Sequence, residues 1–397
     1  MKSRRAPSGS NARKKSPARA ALPSDHAAQA AVAAVAAASP TANDSARARI
    51  PDIAAAAGVS TATVDRVLNQ RPGVRAATMQ KVMKAAAALD YLPEADLYKA
   101  MQPRPMRLVF LLPPQSNRFM QMLGDYIGFA EEQLAPFNVK CRCHHIEGFN
   151  PRVLAQRLLH YGRQADGVAF MALEHPLVRE AVNTLAEEGV HLVTLISDLS
   201  NSRSAAYVGM DNRAAGRTAG YLLARFLGGA AHAGDGGGSP TKQGKIAMIA
   251  GSLSYRGHEE REMGFQHVLQ EMLPQLQLVG LREGHDDADT NYKQARTLLE
   301  QYPDLVGMYN IGGASDGVGR ALKESGRAHK MVFVGHGLTP DTRGLLIDGT
   351  MDAVLTQQPQ NMIMNCVRIF SNLRERRDAL SGVEAVRISV ILRENLP

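Results

Sequence analysis

The chain has no tryptophan, and aromatic residues are only 5% of its 397 positions, so little aromatic surface is available. It has three cysteines, an odd count. Cys141 and Cys143 stand too close together for a typical structural bridge, and Cys366 is alone. A reducing cytosol fits this better than a secreted disulfide framework does. No apolar run approaches the ~18 residues needed to cross a bilayer, so no membrane partner is expected. Basic residues ahead of AAQAAVAAVAAAS (27–39) loosely mimic a secretory signal. The run is nearly all alanine, starts late, and follows Pro23, Ser24, Asp25 and His26, so it reads as a low-complexity, disordered arm.

Catalytic patterns are also missing. There is no Ser-centred elbow, Walker loop or His-Glu-x-x-His. GHEE (257–260) and GHDD (284–287) read as polar loops, with nothing to fix the carboxylate separation a glycosidase needs. CRCHH (141–145) invites a metal reading. On a strand its side chains alternate between faces, so all four do not readily converge on one ion. No second Cys/His pair lies nearby in sequence, and Gly312-Gly313 is too sparse for a phosphate loop. The expectation is a protein that is not an enzyme and has neither metal nor cofactor.

What is present is charge in one place. The chain carries a net +8, and residues 1–49 hold nine Lys/Arg against two Asp/Glu. Residues 50–105 hold seven against five, and the remainder 30 against 31. A basic end on a neutral body points to a polyanion bound through that end.

A chain of this length suggests two or three domains. From residue 50 the pattern is helical. Pro51 suits a first helical turn, and Ile53, Ala54 and Ala57 share a face. Gly58 and Val59 turn the chain, and Ser60 is a natural N-cap. Val64, Val67 and Leu68 make the next buried stripe. Pro72 and Gly73 break it, and a third helix runs from about Ala76 to Leu89 with Met79, Val82, Met83 and Ala86 inward. Three short helices of this size fit a helix-turn-helix headpiece whose second helix enters the major groove. Residues 94–105 read as a hinge.

After Pro105 buried strands appear at 106–113, 166–172, 190–197, 245–251, 305–312 and 331–337, alternating with amphipathic helices. That alternation implies parallel sheets covered on both faces, and there are too many units for one sheet. The fold class is therefore α/β: a two-lobed body of two parallel-sheet sandwiches behind an all-α headpiece. In such a body a ligand binds between lobes, beyond the C-terminal ends of the strands. GGAAHAGDGGGSPTKQG (228–244) reads as a flexible surface loop.

IPDIAAAAGVSTATVDRVLNQRPGVRAATMQKVMKAAAALDYLP resembles the headpiece of the lactose-repressor (LacI/GalR) family of bacterial transcription regulators. The shared pattern is an Ala-Gly-Val-Ser turn, a Thr-Val-x-Arg-Val-Leu-Asn helix, a Val before the third helix and a Tyr-x-Pro exit. Residues 106–397 are similar to the periplasmic sugar-binding-protein fold that this family uses to sense effectors. The resemblance implies an arm at 1–49, a headpiece at 50–93, a hinge at 94–105 and an effector domain at 106–397. Its N-lobe would be about 106–210 and 355–380, and its C-lobe about 211–354 and 381–397.

By the resemblance, Thr61, Ala62 and Arg66 reach base edges. A 100° step independently turns Ala62, Asp65, Arg66 and Asn69 outward. Arg66 suits a bidentate contact to guanine, and Ser60, Thr63 and Asn69 suit phosphates. Asp65 stands where relatives usually carry a small hydroxyl residue. Three uses stay open for it: accepting from a cytosine amino group, orienting a basic residue such as Arg71, or plain solvation. At the hinge the family's minor-groove leucine is replaced by Ala100, with Leu97 and Met101 as substitute wedges.

In the effector domain the resemblance implies ligand contacts from Asn117, Phe119, Asp198, Asp211, Asn212, Arg261 and Gln357. The family's usual Asn-Asp reads Ile311-Gly312-Gly313, leaving Asn310 as the stand-in. Its usual Gly-Phe-Asp reads Gly335-His336-Gly337, without the acid, so His336 is either a ligand contact or a structural histidine. The expected function is a cytoplasmic, homodimeric, ligand-responsive regulator, a repressor, on a pseudo-palindromic operator of double-stranded DNA. Its effector would be a small hydroxyl-rich solute, sugar- or polyol-like. The alternative from another class is a secreted solute-binding protein with residues 1–39 as its signal; the pattern at 50–92 argues against it.

Overall fold

The computed structural model describes residues 48–69, 71, 73–91, 104–113, 117–134, 137–146, 148–229 and 244–397. Expectations for residues 1–47, for Leu97, Ala100 and Met101, and for the loop at 230–243 lie outside the described residues. The chain divides into two compact units between Pro103 and Arg104.

The first unit contains α1 (Ile50–Ala57), α2 (Thr61–Leu68) and α3 (Ala76–Ala88). Asp52 closes the first turn of α1, its carboxylate accepting from the Arg49 amide at 2.7 Å. Gly58 ends α1 at φ 66°, a left-handed conformation that costs other residues strain. The chain then re-enters a helix at once, because Ser60 Oγ accepts from the Thr63 amide at 3.2 Å. Ile53, Val64, Val67, Val82, Met83 and Ala86 meet in one buried cluster. Such a small core has little stability to spare. Ser60→Ala should therefore lower headpiece stability by about 1 kcal/mol, the usual worth of an N-cap. Thermal unfolding followed by circular dichroism checks this; an unchanged melting temperature would show the cap to be idle.

The second unit is built on two sheets. The first has β1 (Met106–Leu112), β2 (Val139–His145), β3 (Gly167–Phe170), β4 (His191–Leu195) and β5 (Ala206–Val208), in the order β2-β1-β3-β4-β5. All its pairings are parallel. Helices α4 (Arg118–Phe129), α5 (Glu131–Leu134), α6 (Pro151–Gly162) and α7 (Pro176–Glu187) connect the strands. The second sheet has β6 (Lys245–Ala250), β7 (Gln277–Glu283), β8 (Leu305–Asn310), β9 (Val332–His336), β10 (Ala353–Thr356) and β11 (Ser389–Ile391). Its order is β11-β10-β9-β8-β6-β7, with only β11 antiparallel. Helices α8 (Asn212–Gly229), α9 (Arg256–Met272), α10 (Ala288–Gln301), α11 (Ser315–Glu324) and α12 (Pro340–Ile347) belong with it.

Inner strands β1, β3, β6 and β8 are buried almost throughout, as strands covered on both faces must be. The chain passes between lobes after β5, after β10 and before β11. Leu355 and Thr356 lie on β10 in the second sheet, so the return to the first lobe begins at Gln357 rather than at 355. Helix α13 (Pro359–Arg374) then packs on the first lobe through Met362, Cys366, Val367 and Phe370.

Candidate functional site

Two sites emerge, one in each unit. In the first, α2 turns Val64 and Val67 into the core and leaves Ser60, Thr61, Ala62, Arg66 and Asn69 exposed. Thr63 is half-buried and its hydroxyl lies 2.9 Å from that of Ser60. Asp65 is not left to solvent. Its Oδ1 accepts from Asn69 Nδ2 at 2.8 Å, and its Oδ2 lies 3.2 Å from Arg71 Nη1. The acid thus orients a basic side chain and an amide on the outer face of the helix. No described residue pairs with the Arg66 guanidinium, which stays available to an external acceptor.

In the second unit a cavity of about 50 Å³ lies between the lobes, adjoining an outer one of about 190 Å³. Asn117, Phe119, Gly313 and His336 line both. Asn117 caps α4, its Oδ1 accepting from the amides of Phe119 and Met120 at 3.1 and 3.2 Å. Its Nδ2 crosses to the other lobe and donates to Asp286 Oδ2 at 2.9 Å. Asp286 is buried, and its Oδ1 accepts from the Gly313 amide at 2.6 Å. A Cβ at either Gly251 or Gly312 would come within 2.4 Å of that carboxylate, so both glycines make room for it.

Arg261 lies almost fully buried on α9. Its Nε donates to Asn212 Oδ1 and its Nη1 to the Ile311 carbonyl, both at 2.8 Å. Asn212 is held in turn, its Nδ2 donating to the Ile196 carbonyl at 2.9 Å. These acceptors fix the guanidinium plane without cancelling its charge. Gln357 reaches the cavity from the return crossover, with Oε1 accepting from the Met210 amide at 2.9 Å.

Two imidazoles complete the polar wall. His258 Nδ1 lies 3.0 Å from the Ser252 carbonyl, and burial pushes its pKa down to about 4, against the opposing pull of Asp286. His336 is held well below the ordinary histidine value by burial, then by Arg261 and His258. Both are neutral at physiological pH. Apolar surface comes from Phe119, Met120, Met171, Ile196, Met210 and Leu355. The cavity therefore offers one fixed cation, one carboxylate and several neutral hydrogen-bonding groups, a set suited to hydroxyls.

Of the ligand residues named from sequence, Asn117, Phe119, Arg261, His336 and Gln357 meet at this cavity, and Asn212 braces it through Arg261. Three others go elsewhere. Asp198 accepts from Thr194 Oγ1 at 2.6 Å and lies in a separate groove along the crossovers. Asp211 lines the same groove and caps α8, accepting from the Ala214 amide at 2.9 Å. Asn310 turns into its own loop, donating to the Gly313 carbonyl at 2.7 Å and Ser315 Oγ at 2.8 Å. Asp286, His258 and Thr356 line the cavity unanticipated. The acid missing from Gly335-His336-Gly337 is supplied instead by Asp286, from the GHDD segment read as a polar loop. Its place just past β7 was the available clue, since ligands collect beyond strand ends in such sheets.

At CRCHH the strand is an edge, and His144 stacks on Tyr161 with centroids 4.0 Å apart. Among the described residues no group of three or more His, Cys, Asp or Glu is placed to hold a metal ion. No helix of the described residues is long and apolar enough to cross a membrane.

Comparison with known proteins bears on both units. Residues 109–376 match the family described as periplasmic binding protein domain, and residues 49–94 match bacterial regulatory proteins, lacI family. The HTH-type transcriptional repressor PurR of Vibrio vulnificus is 27% identical over 248 residues, covering 61% of this chain and 67% of that protein. The HTH-type transcriptional regulator MalR of Streptomyces coelicolor is 45% identical over 83 residues, covering 21% of this chain and 23% of that protein. Among solved structures, GanP, a glucose-galactose binding protein from Geobacillus stearothermophilus, superposes with a TM-score of 0.63 at 23% identity. It is covered completely and covers 75% of this chain. A putative LacI transcriptional regulator from Bacteroides fragilis gives 0.62 at 18% identity, with 74% and 98% covered. These structures establish the two-lobed fold, and the named relatives are regulators and binding proteins rather than enzymes. Over 109–376, most of its length, the chain belongs to the periplasmic binding protein domain family, and at 49–94 it carries a headpiece of the lacI family of bacterial regulatory proteins.

Proposed function

We propose that this LacI-family repressor acts in the cytoplasm as a homodimer on a pseudo-palindromic operator, under the control of a small hydroxyl-rich solute held between its lobes. The observation that carries this reading is one chain bearing both a capped helix with Arg66 outward and an inter-lobe cavity with Arg261 and Asp286 in its wall. Two headpieces related by two-fold symmetry would read two half-sites. Solute binding changes how the lobes close, which alters headpiece spacing and DNA affinity by a coupling of typically ~1–3 kcal/mol. That a structural neighbour was solved with D-arabinose supports a hydroxyl-rich ligand class. Footprinting on the protein's own upstream region, with and without a panel of sugars and polyols, tests the reading. Absence of any protected palindrome would count decisively against it.

Asp65 supplies a second test. Holding Arg71 and Asn69, it restrains two side chains beside the reading face and places a negative charge near phosphates. Asp65→Ser should raise DNA affinity a few-fold overall and narrow the gap between operator and random duplex. Anisotropy titrations on both duplexes at two salt concentrations measure this, and unchanged affinity with unchanged discrimination would make Asp65 a bystander.

A further inference from the structure

His336 ends β9 and lines both cavities while only 7% exposed. Its Nε2 lies 2.7 Å from the Tyr309 hydroxyl oxygen. Its Nδ1 is buried and has no hydrogen-bond partner among the described residues. Tyr309 is wholly buried, with its ring stacked on Phe265 at 4.5 Å. Among the described residues His336 Nε2 is the only hydrogen-bond partner of that hydroxyl. A buried hydroxyl that donates to nothing loses the full cost of its desolvation, so the proton of Tyr309 goes to Nε2. A neutral imidazole carries one proton, and with Nε2 accepting, that proton sits on Nδ1. The ring therefore holds an N–H with no acceptor among the described residues, on a side chain that lines the cavity whose wall also holds Arg261 and Asp286.

We propose that His336 Nδ1–H is a specificity-determining donor that reads an oxygen acceptor of the effector, and that Tyr309 is the positioning residue that fixes this tautomer. The inference rests on the inter-lobe cavity being the effector site. The group it reads is a hydroxyl, ring-ether or carbonyl oxygen, because an ammonium or N–H there would set two donors face to face. Tyr309 acts only through His336. Losing its hydroxyl frees the proton to move to Nε2, and Nδ1 then meets the same oxygen as an acceptor.

The test uses the full chain with ¹⁵N-labelled histidine, the His336 signals being assigned by their loss in His336→Gln. Long-range ¹H–¹⁵N spectra should show the Nδ1–H tautomer in the native protein and a shift toward Nε2–H in Tyr309→Phe, which keeps the stacked ring. The probes are D-glucose, D-arabinose and myo-inositol. One that raises the unfolding midpoint should also move the His336 Nδ1 resonance, and should bind Tyr309→Phe about tenfold more weakly. If a probe binds while the native ring is Nε2–H, or while Tyr309→Phe binds it as tightly as the native protein, the hydroxyl-solute reading stands and this proposal alone falls. If none of the three binds, the two fall together.

Discussion

Replacing Arg66 by alanine should abolish most operator discrimination while leaving the headpiece folded. The side chain is exposed and no described residue holds it, so truncation removes no internal contact. Alanine also favours the helix slightly over arginine. A bidentate arginine–guanine contact is worth about 1–3 kcal/mol, and the proposed dimer makes it twice, so specific affinity should fall by roughly thirtyfold or more. Binding to a random duplex should fall far less, since only one charge per headpiece is lost. Titrating both duplexes at fixed salt separates the outcomes. An equal loss on both would make Arg66 a phosphate contact, and no loss on either would make it a solvated surface side chain. Arg71 provides an internal comparison. Asp65 holds it 3.2 Å away, so alanine there should cost less specific affinity than at Arg66.

How much of this was legible in the sequence depends on how local each cause is. Helix α2 could be read because its cap, Ser60, and its stripe, Val64, Val67 and Leu68, lie within nine residues of each other. Strands such as β6 could be read because burial on both faces demands an unbroken apolar run. Strand β7 could not: it is half-exposed at the sheet edge, ends in Arg282 and Glu283, and contains Gly280 at φ 93°. Strands β5 and β11 span three residues each, too few for any period. At the site, Asn117 and Arg261 matched a motif and meet at the cavity. Asp198 follows a strand as a ligand-binding acid should, yet the chain passes through Ile196 at φ 61° and Thr194 Oγ1 takes the carboxylate instead. The local clue to Asp286 is only its place just past β7, a strand that the apolar pattern does not reveal. Its meaning comes from Asn117, 169 positions away, and from two glycines that leave it room. The Tyr309–His336 pair is invisible for the same reason, since only the pairing of β8 with β9 brings the two rings together.

The other large effect is expected at Arg261. Arg261→Gln removes a buried cation and shortens the reach to two buried acceptors, Asn212 Oδ1 and the Ile311 carbonyl. Leaving such acceptors unpaired should destabilise the second unit by about 2–4 kcal/mol, and the loss is structural before it is functional. Asn212 also ties α8 to the Ile196 carbonyl in the opposite lobe, so loosening it weakens a contact between the lobes on which the proposed closure would depend. Effector response of operator binding should therefore disappear, whereas basal operator binding, which depends on the other unit, should survive at a temperature well below the lowered midpoint. Arg261→Lys distinguishes charge from shape. Lysine keeps the cation but cannot place two N–H groups in one plane, so it should recover part of the stability and little of the response. Unfolding midpoints and effector titrations of the protein–operator complex read the two quantities separately. Full response in the lysine variant would mean that the cavity requires only a positive charge, and that the planar guanidinium is not what links the effector to the lobe joint.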